Sequence, residues 1–151
     1  MGPVDREEPM TVARIISEKG RNVITVAQKD SLADIATMLA EKRIGAVVVM
    51  EKDAINGIVS ERDIVRAVAK HGGDGLAMSA GEWMTAKVVT CRPQDTINDV
   101  MQKMTSGRFR HLPVVEDGKL AGIISIGDVV KRRIEEVERE AEQIREYIAT
   151  A

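Results

Sequence analysis

The sequence predicts an α+β fold: two β-α-β-β-α repeats related by a pseudo-twofold, packed as one module and followed by a long C-terminal helix. The first observation behind this is an internal repeat. Sliding the chain by 65 positions lays Val23–Arg66 over Val88–Lys131 without a gap, with identities at Val23/Val88, Asp30/Asp95, Arg43/Arg108, Gly57/Gly122, Ser60/Ser125 and Asp63/Asp128 among others. The second is that both copies alternate strand and helix spacing of apolar residues in the same order. The third is size. In a chain of 151 residues, a unit of roughly 60 residues buries little apolar surface alone, so the two halves are expected to share one core.

Each element follows from its residues. The β-branched runs Val23–Val26 and Val88–Cys91 predict opening strands. Leu32, Ile35, Ala36 and Leu39, matched by Ile97, Val100, Met101 and Met104, recur at helical spacing. Two apolar strands then follow in each copy, Ala46–Met50 with Ile55–Val59 and His111–Val115 with Leu120–Ile124. Asp117-Gly118 marks the second hairpin turn. Asn56-Gly57 has the same composition but aligns with Ala121-Gly122 inside a strand, which puts the first turn at Glu51–Ala54. Ser60 and Ser125 open the closing helices, and His71-Gly72-Gly73-Asp74-Gly75 reads as a hinge loop between the halves. The organisation expected is a loose segment over 1–9, repeat 1 over 10–71, a linker over 72–78, repeat 2 over 79–134 and a helical extension over 135–151.

That extension carries apolar residues at Val130, Ile134, Val137, Ala141, Ile144 and Ile148, in steps of 4, 3, 4, 3 and 4, with charged residues between them. This is heptad spacing over fewer than three heptads. The stripe either packs on its own domain or pairs with a second chain.

Composition excludes several functions. Aromatics are 2% of the residues, Trp83, Phe109 and Tyr147, too few for a stacking platform on single-stranded nucleic acid. The net charge of −2 lacks the excess of cations that nucleic-acid affinity rests on. Cys91 stands alone, so a reducing compartment, the cytoplasm, is expected. No apolar run approaches the roughly 20 residues that span a bilayer, no leader sequence is read at the start, and no membrane association is expected. Two histidines and one cysteine make a metal site improbable, and nothing resembles a nucleophile elbow. No catalytic residues are assigned, and an enzyme is not expected.

The chemistry resides in the repeated motif. Gly57-Ile58-Val59-Ser60-Glu61-Arg62-Asp63 and Gly122-Ile123-Ile124-Ser125-Ile126-Gly127-Asp128 share a glycine, two apolar residues, a serine, two variable residues and an aspartate. Serine with an acid three residues later is a helix N-terminus signature, and this alone accounts for both motifs. A short carboxylate at a helix start can also accept from both hydroxyls of a ribose, and the unpaired N–H groups beside it favour phosphate.

With His111-Leu112-Pro113-Val114-Val115 ahead of the second copy, these motifs resemble the CBS-domain family over residues 11–134. The resemblance implies paired repeats whose clefts bind adenosine derivatives such as AMP, ADP, ATP, NAD(H) or S-adenosylmethionine. It assigns the ribose to Asp63 and Asp128, with Ser60 and Ser125 lining the clefts. The family's crossed arrangement sets Asp128 beside Lys19, Arg21, Val23 and Ile24, and Asp63 beside Thr85, Lys87, Val88 and Val89. Val23, Ile24, Val88 and Val89, with Ala46, form the expected adenine pocket.

The clefts are not equivalent. Arg110 and His111 stand where the first copy has Gly45 and Ala46, and Arg62 stands where the second has Gly127. Arginine forks match phosphate oxygens, so AMP or ATP is favoured over S-adenosylmethionine, the Asp128 cleft is expected to be the more phosphate-friendly, and NAD(H) is possible in one cleft. The resemblance further implies a regulatory homodimer acting on a protein target the sequence does not name. The rival reading is a ligand-free scaffold or regulatory subunit whose serines and aspartates only cap helices.

Overall fold

The computed structural model describes residues 10–20 and 23–150. The segment 1–9 and the candidate Arg21 lie outside them. In chain order the elements are α1 (Val12–Lys19), β1 (Thr25–Val26), α2 (Leu32–Lys42), β2 (Ala46–Glu51), β3 (Ala54–Ser60), α3 (Glu61–His71) and a 3-10 helix (Gly72–Ala77). They continue with α4 (Ala80–Trp83), α5 (Ile97–Gly107), β4 (His111–Glu116), β5 (Lys119–Ser125) and α6 (Ile126–Thr150).

The duplication extends to single hydrogen bonds. Ser31 caps α2 by accepting from the Asp34 N–H, and Thr96 caps α5 by accepting from the Asp99 N–H. Both helices end on an arginine in the left-handed region, Arg43 at φ 54° and Arg108 at φ 58°. The β2–β3 and β4–β5 hairpins break register at equivalent places, Val49/Met50 and Val114/Val115.

The halves diverge at their opening strands. β1 joins β2 in parallel, making a three-stranded sheet, whereas β4 and β5 stand as a pair. The strand expected at Val88–Cys91 is reduced to one bridge between Cys91 and Val114. The cause is Pro113. In the first half the Val48 N–H donates to the Ile24 carbonyl at 3.3 Å; the equivalent residue in β4 is Pro113, which has no N–H to donate. The freed segment turns to the other half, where Thr85 and Ile58 exchange backbone hydrogen bonds of 2.8 and 3.1 Å.

The single shared core is replaced by two. Val26, Leu32, Ile35, Leu39, Val47, Val49, Val59 and Ala67 form one cluster, completed by Ala80, with Met78, Trp83 and Met84 packed against it. Ile97, Val100, Met104, Leu112, Val114, Ile124 and Val129 form the other, completed by Met10, Val12, Ile15 and Ile16 from the start of the chain. Each half is thus closed by the segment that precedes its partner. The hinge loop expected between them is the 3-10 helix, packed so closely on α3 that a Cβ on Gly75 would lie 2.5 Å from the Ala67 carbonyl oxygen.

Candidate functional site

The two motif aspartates are, first, helix caps. Asp63 Oδ2 accepts from the Ser60 backbone N–H at 2.8 Å and from Ser60 Oγ at 3.2 Å. Asp128 Oδ2 accepts from the Ser125 N–H at 2.8 Å, and the Asp128 N–H returns a bond to Ser125 Oγ at 3.2 Å. An aspartate can cap and still present its other oxygen to a ligand, because an ionised carboxylate has about four acceptor positions.

Their surroundings differ. The Asp63 side chain is 7% exposed, and its Oδ1 lies 3.7 Å from Arg66. It opens on a cleft of about 190 Å³ between the two halves. One wall comes from the first repeat: Gly45, Ile58, Ser60, Glu61, Arg62 and Arg66. The other comes from the second: Thr85, Lys87, Val88 and Val89 along the freed segment, then Arg108, Phe109, Arg110 and His111 at the start of β4. Room exists at the midpoint because residue 45 has no side chain. A Cβ there would lie 3.0 Å from His111 Nε2.

Asp128 has a different neighbour. Lys19, at the end of α1, places its ammonium 2.6 Å from Oδ2 and donates at 3.0 Å to the Ile123 carbonyl. Burial alone would raise the Asp128 carboxyl, but the hydrogen bonds from Lys19 and the Ser125 N–H, with the Lys19 charge, hold it below its ordinary value. His111 is lowered, first by burial and then by the Lys19 charge, against the opposing pull of Glu61 and Asp128. At neutral pH it is an uncharged imidazole able both to donate and to accept.

The structure therefore gathers Ser60, Arg62, Asp63, Thr85, Lys87, Val88, Val89, Arg110 and His111 around one cleft. Lys19 meets Asp128 as the crossed arrangement requires; Arg110 and His111, expected to make the Asp128 cleft the phosphate-friendly one, line the Asp63 cleft, and His111 also feels the charges of Lys19 and Asp128. Both reach the Asp63 side because β4 begins opposite α3 across the pseudo-twofold. Val23 and Ile24, expected beside Asp128, lie outside this cleft, with Ile24 packed against the first core, and Ala46 is buried in β2, paired with Ser60. Sequence reasoning missed Gly45, Ile58, Glu61, Arg66, Arg108 and Phe109 as cleft residues. Arg108 had a signal in its repeat partner Arg43, and Phe109 adjoins Arg110.

Other chemistry is sparse. Among the described residues, no three His, Cys, Asp or Glu side chains come together to hold a metal. Among them, too, no helix is long and apolar enough to cross a membrane. The Cys91 thiol is pushed up to about 12, by burial first and Asp95 second, and is no nucleophile at neutral pH.

Two duplicated half-sheets, each closed by a segment from the other half, with a capped aspartate facing an inter-repeat cleft, define a tandem-repeat pair. The sequence profile of the CBS domain matches residues 12–70 and again 80–135, so the chain belongs to the CBS-domain family. It is similar to a CBS-domain containing protein of Agrobacterium tumefaciens of solved structure: 47% identity, covering 82% of this chain and 99% of that one, with a TM-score of 0.79. A mitochondrial CBS domain-containing protein of Arabidopsis thaliana is 31% identical over 150 residues, 93% of this chain and 73% of that protein. A CBS domain protein from Pyrobaculum aerophilum, solved in complex with AMP, is 28% identical with a TM-score of 0.70, over 79% of this chain and 89% of that one.

Proposed function

We propose that this protein is a regulatory module that senses adenine nucleotides, with AMP or ATP bound in the Asp63 cleft. The observation that carries this is the company of Asp63: a buried carboxylate with an oxygen facing the cleft, aliphatic walls at Ile58, Val88 and Val89, and Lys87, Arg108, Arg110 and His111 along the same opening. The carboxylate takes the ribose hydroxyls, the aliphatic walls take the adenine, and the cations with the α3 N-terminus take the phosphates. The relative solved with AMP supports the ligand class. Cationic walls disfavour the sulfonium of S-adenosylmethionine.

The Asp128 side is the second, weaker cleft, where a ligand must displace Lys19 from the carboxylate; NAD(H) is its alternative occupant. Bound ligand touches both halves, so it favours whichever relative orientation closes the cleft, and that shift is passed to a protein target. We place the module in the cytoplasm, acting as a homodimer and without catalysis of its own. Titration calorimetry with AMP, ATP, NADH and S-adenosylmethionine tests the assignment. Binding of a phosphorylated nucleotide, weakened by Asp63→Ala, is expected. No heat with any of the four, together with an unshifted melting midpoint, would leave the ligand-free scaffold standing; that reading draws on the fact that both aspartates already serve as caps.

A further inference from the structure

The amphipathic face of α6 is inverted for a helix that packs on its own domain. Beyond the buried Val129, its half-buried positions are Arg132, Arg133, Glu135, Glu136 and Arg139, with the small Ala141, and Arg132 is held by Glu18 of α1 and by Glu135. Past Val129 its large apolar residues face outward, Val130, Ile134, Val137, Ile144 and Ile148 being 44, 52, 46, 59 and 68% exposed. Beyond Ala141 every residue described is exposed, so no described residue of this chain covers the end of the stripe.

We propose that the partner is a second copy of this chain, and that the two α6 helices pair in parallel and in register as a short two-stranded coiled coil. The charges flanking the seam select both partner and direction. In the parallel arrangement Arg133 meets Glu138 of the second copy and Glu140 meets Arg145, each twice by symmetry. An antiparallel pairing over the same stripe would oppose Glu138 with Glu138, Glu140 with Glu140 and Lys131 with Arg145. Like charges in every one of those pairs penalise that arrangement. A foreign helix would need this same alternation of charge, which a second copy supplies by itself. The proposal rests on the dimeric reading above and on nothing in the nucleotide cleft.

Sedimentation of the full chain at micromolar concentration, without nucleotide, tests it. A dimer is expected, weakened about a hundredfold by Ile144→Asp, because a charge would be buried without a partner. An unchanged melting midpoint of the monomeric variant shows that the fold survives. Ile144→Cys should cross-link to itself under air oxidation, since the parallel seam sets position 144 against its own copy, while Cys91 is buried and does not compete. Glu140→Lys should weaken the dimer, and Arg145→Glu in the same chain should restore it. A monomer overturns this proposal and the dimeric reading together. A dimer indifferent to Ile144→Asp overturns this proposal alone. Cross-linking only between Ile134→Cys and Ile144→Cys chains overturns the parallel direction.

Discussion

Asp63 and Asp128 occupy the same position in the same motif, accept the same serine N–H at the same 2.8 Å, and yet face different surroundings. Around Asp63 the partner half contributes an opening with Lys87, Arg108, Arg110 and His111. Around Asp128 it contributes Lys19, seated on the carboxylate at 2.6 Å. Duplication preserved the local device, the capped aspartate, while the segments crossing from the other half changed its use. A repeat is thus symmetric in what it builds locally and asymmetric in what is brought to it.

The largest test of that contrast is ligand affinity. Removing the charge-assisted hydrogen bonds of Asp63 by Asp63→Ala should weaken AMP binding about tenfold to a hundredfold, whereas Asp128→Ala leaves the tight phase unchanged. Calorimetry reads both, and equal losses would erase the distinction. Next is packing. A Cβ on Gly57 would meet Met84 Sδ at 2.7 Å and the Thr85 carbonyl oxygen at 2.8 Å, while one on Gly122 would meet only the flexible end of Ile16, at 2.6 Å. Gly57→Ala should cost about 1–3 kcal/mol and Gly122→Ala less than about 1 kcal/mol, seen as unequal drops in chemical-denaturation midpoint. Similar drops would mean that the crossing segments yield equally.

Lys19→Ala should cost about 1 kcal/mol or less, the scale of a partly exposed ion pair. It should also allow a second binding event in calorimetry by uncovering Asp128. A single event in the variant would show that Lys19 is not what closes that side.

Acid stability separates the groups further. Folded His111 is held below its ordinary value of 6.5, so the unfolded chain takes up the proton first. Its contribution is full above the unfolded value and declines as the pH falls through the folded one. Asp128 is held below 3.8, and the stability it contributes is present above that value and lost only as the pH falls through its folded value. His111→Asn should therefore flatten the decline in melting midpoint between about pH 7 and 5 and leave the acid limb in place. Lys19→Ala should alter both limbs, since the Lys19 charge holds down Asp128 and His111 alike.

What was legible in the sequence was local. Ser60 with Asp63, Ser125 with Asp128, and Asp117-Gly118 declare caps and a turn through contacts three residues long or shorter. The cost of Pro113 to the opening strand was visible only once the strand's neighbour was known, since the missing donor faces a residue far back in the chain. Alignment of the repeats showed that Arg110 and His111 correspond to Gly45 and Ala46 but not which cleft they face, which depends on how the halves stack. Nor could the apolar spacing of Met10 to Ile16 say which half it would close.

That last point bears on how the molecule is made. α1 belongs to the core finished last: Ile15 and Ile16 must wait for Ile124 and Val129, roughly a hundred residues later. Until then α1 carries an uncovered apolar face. The first repeat closes sooner, once Ala80 and Trp83 have been made, whereas the second waits for β5 and the start of α6, so the halves mature one after the other, and a chain cut short in β5 leaves α1 without its core.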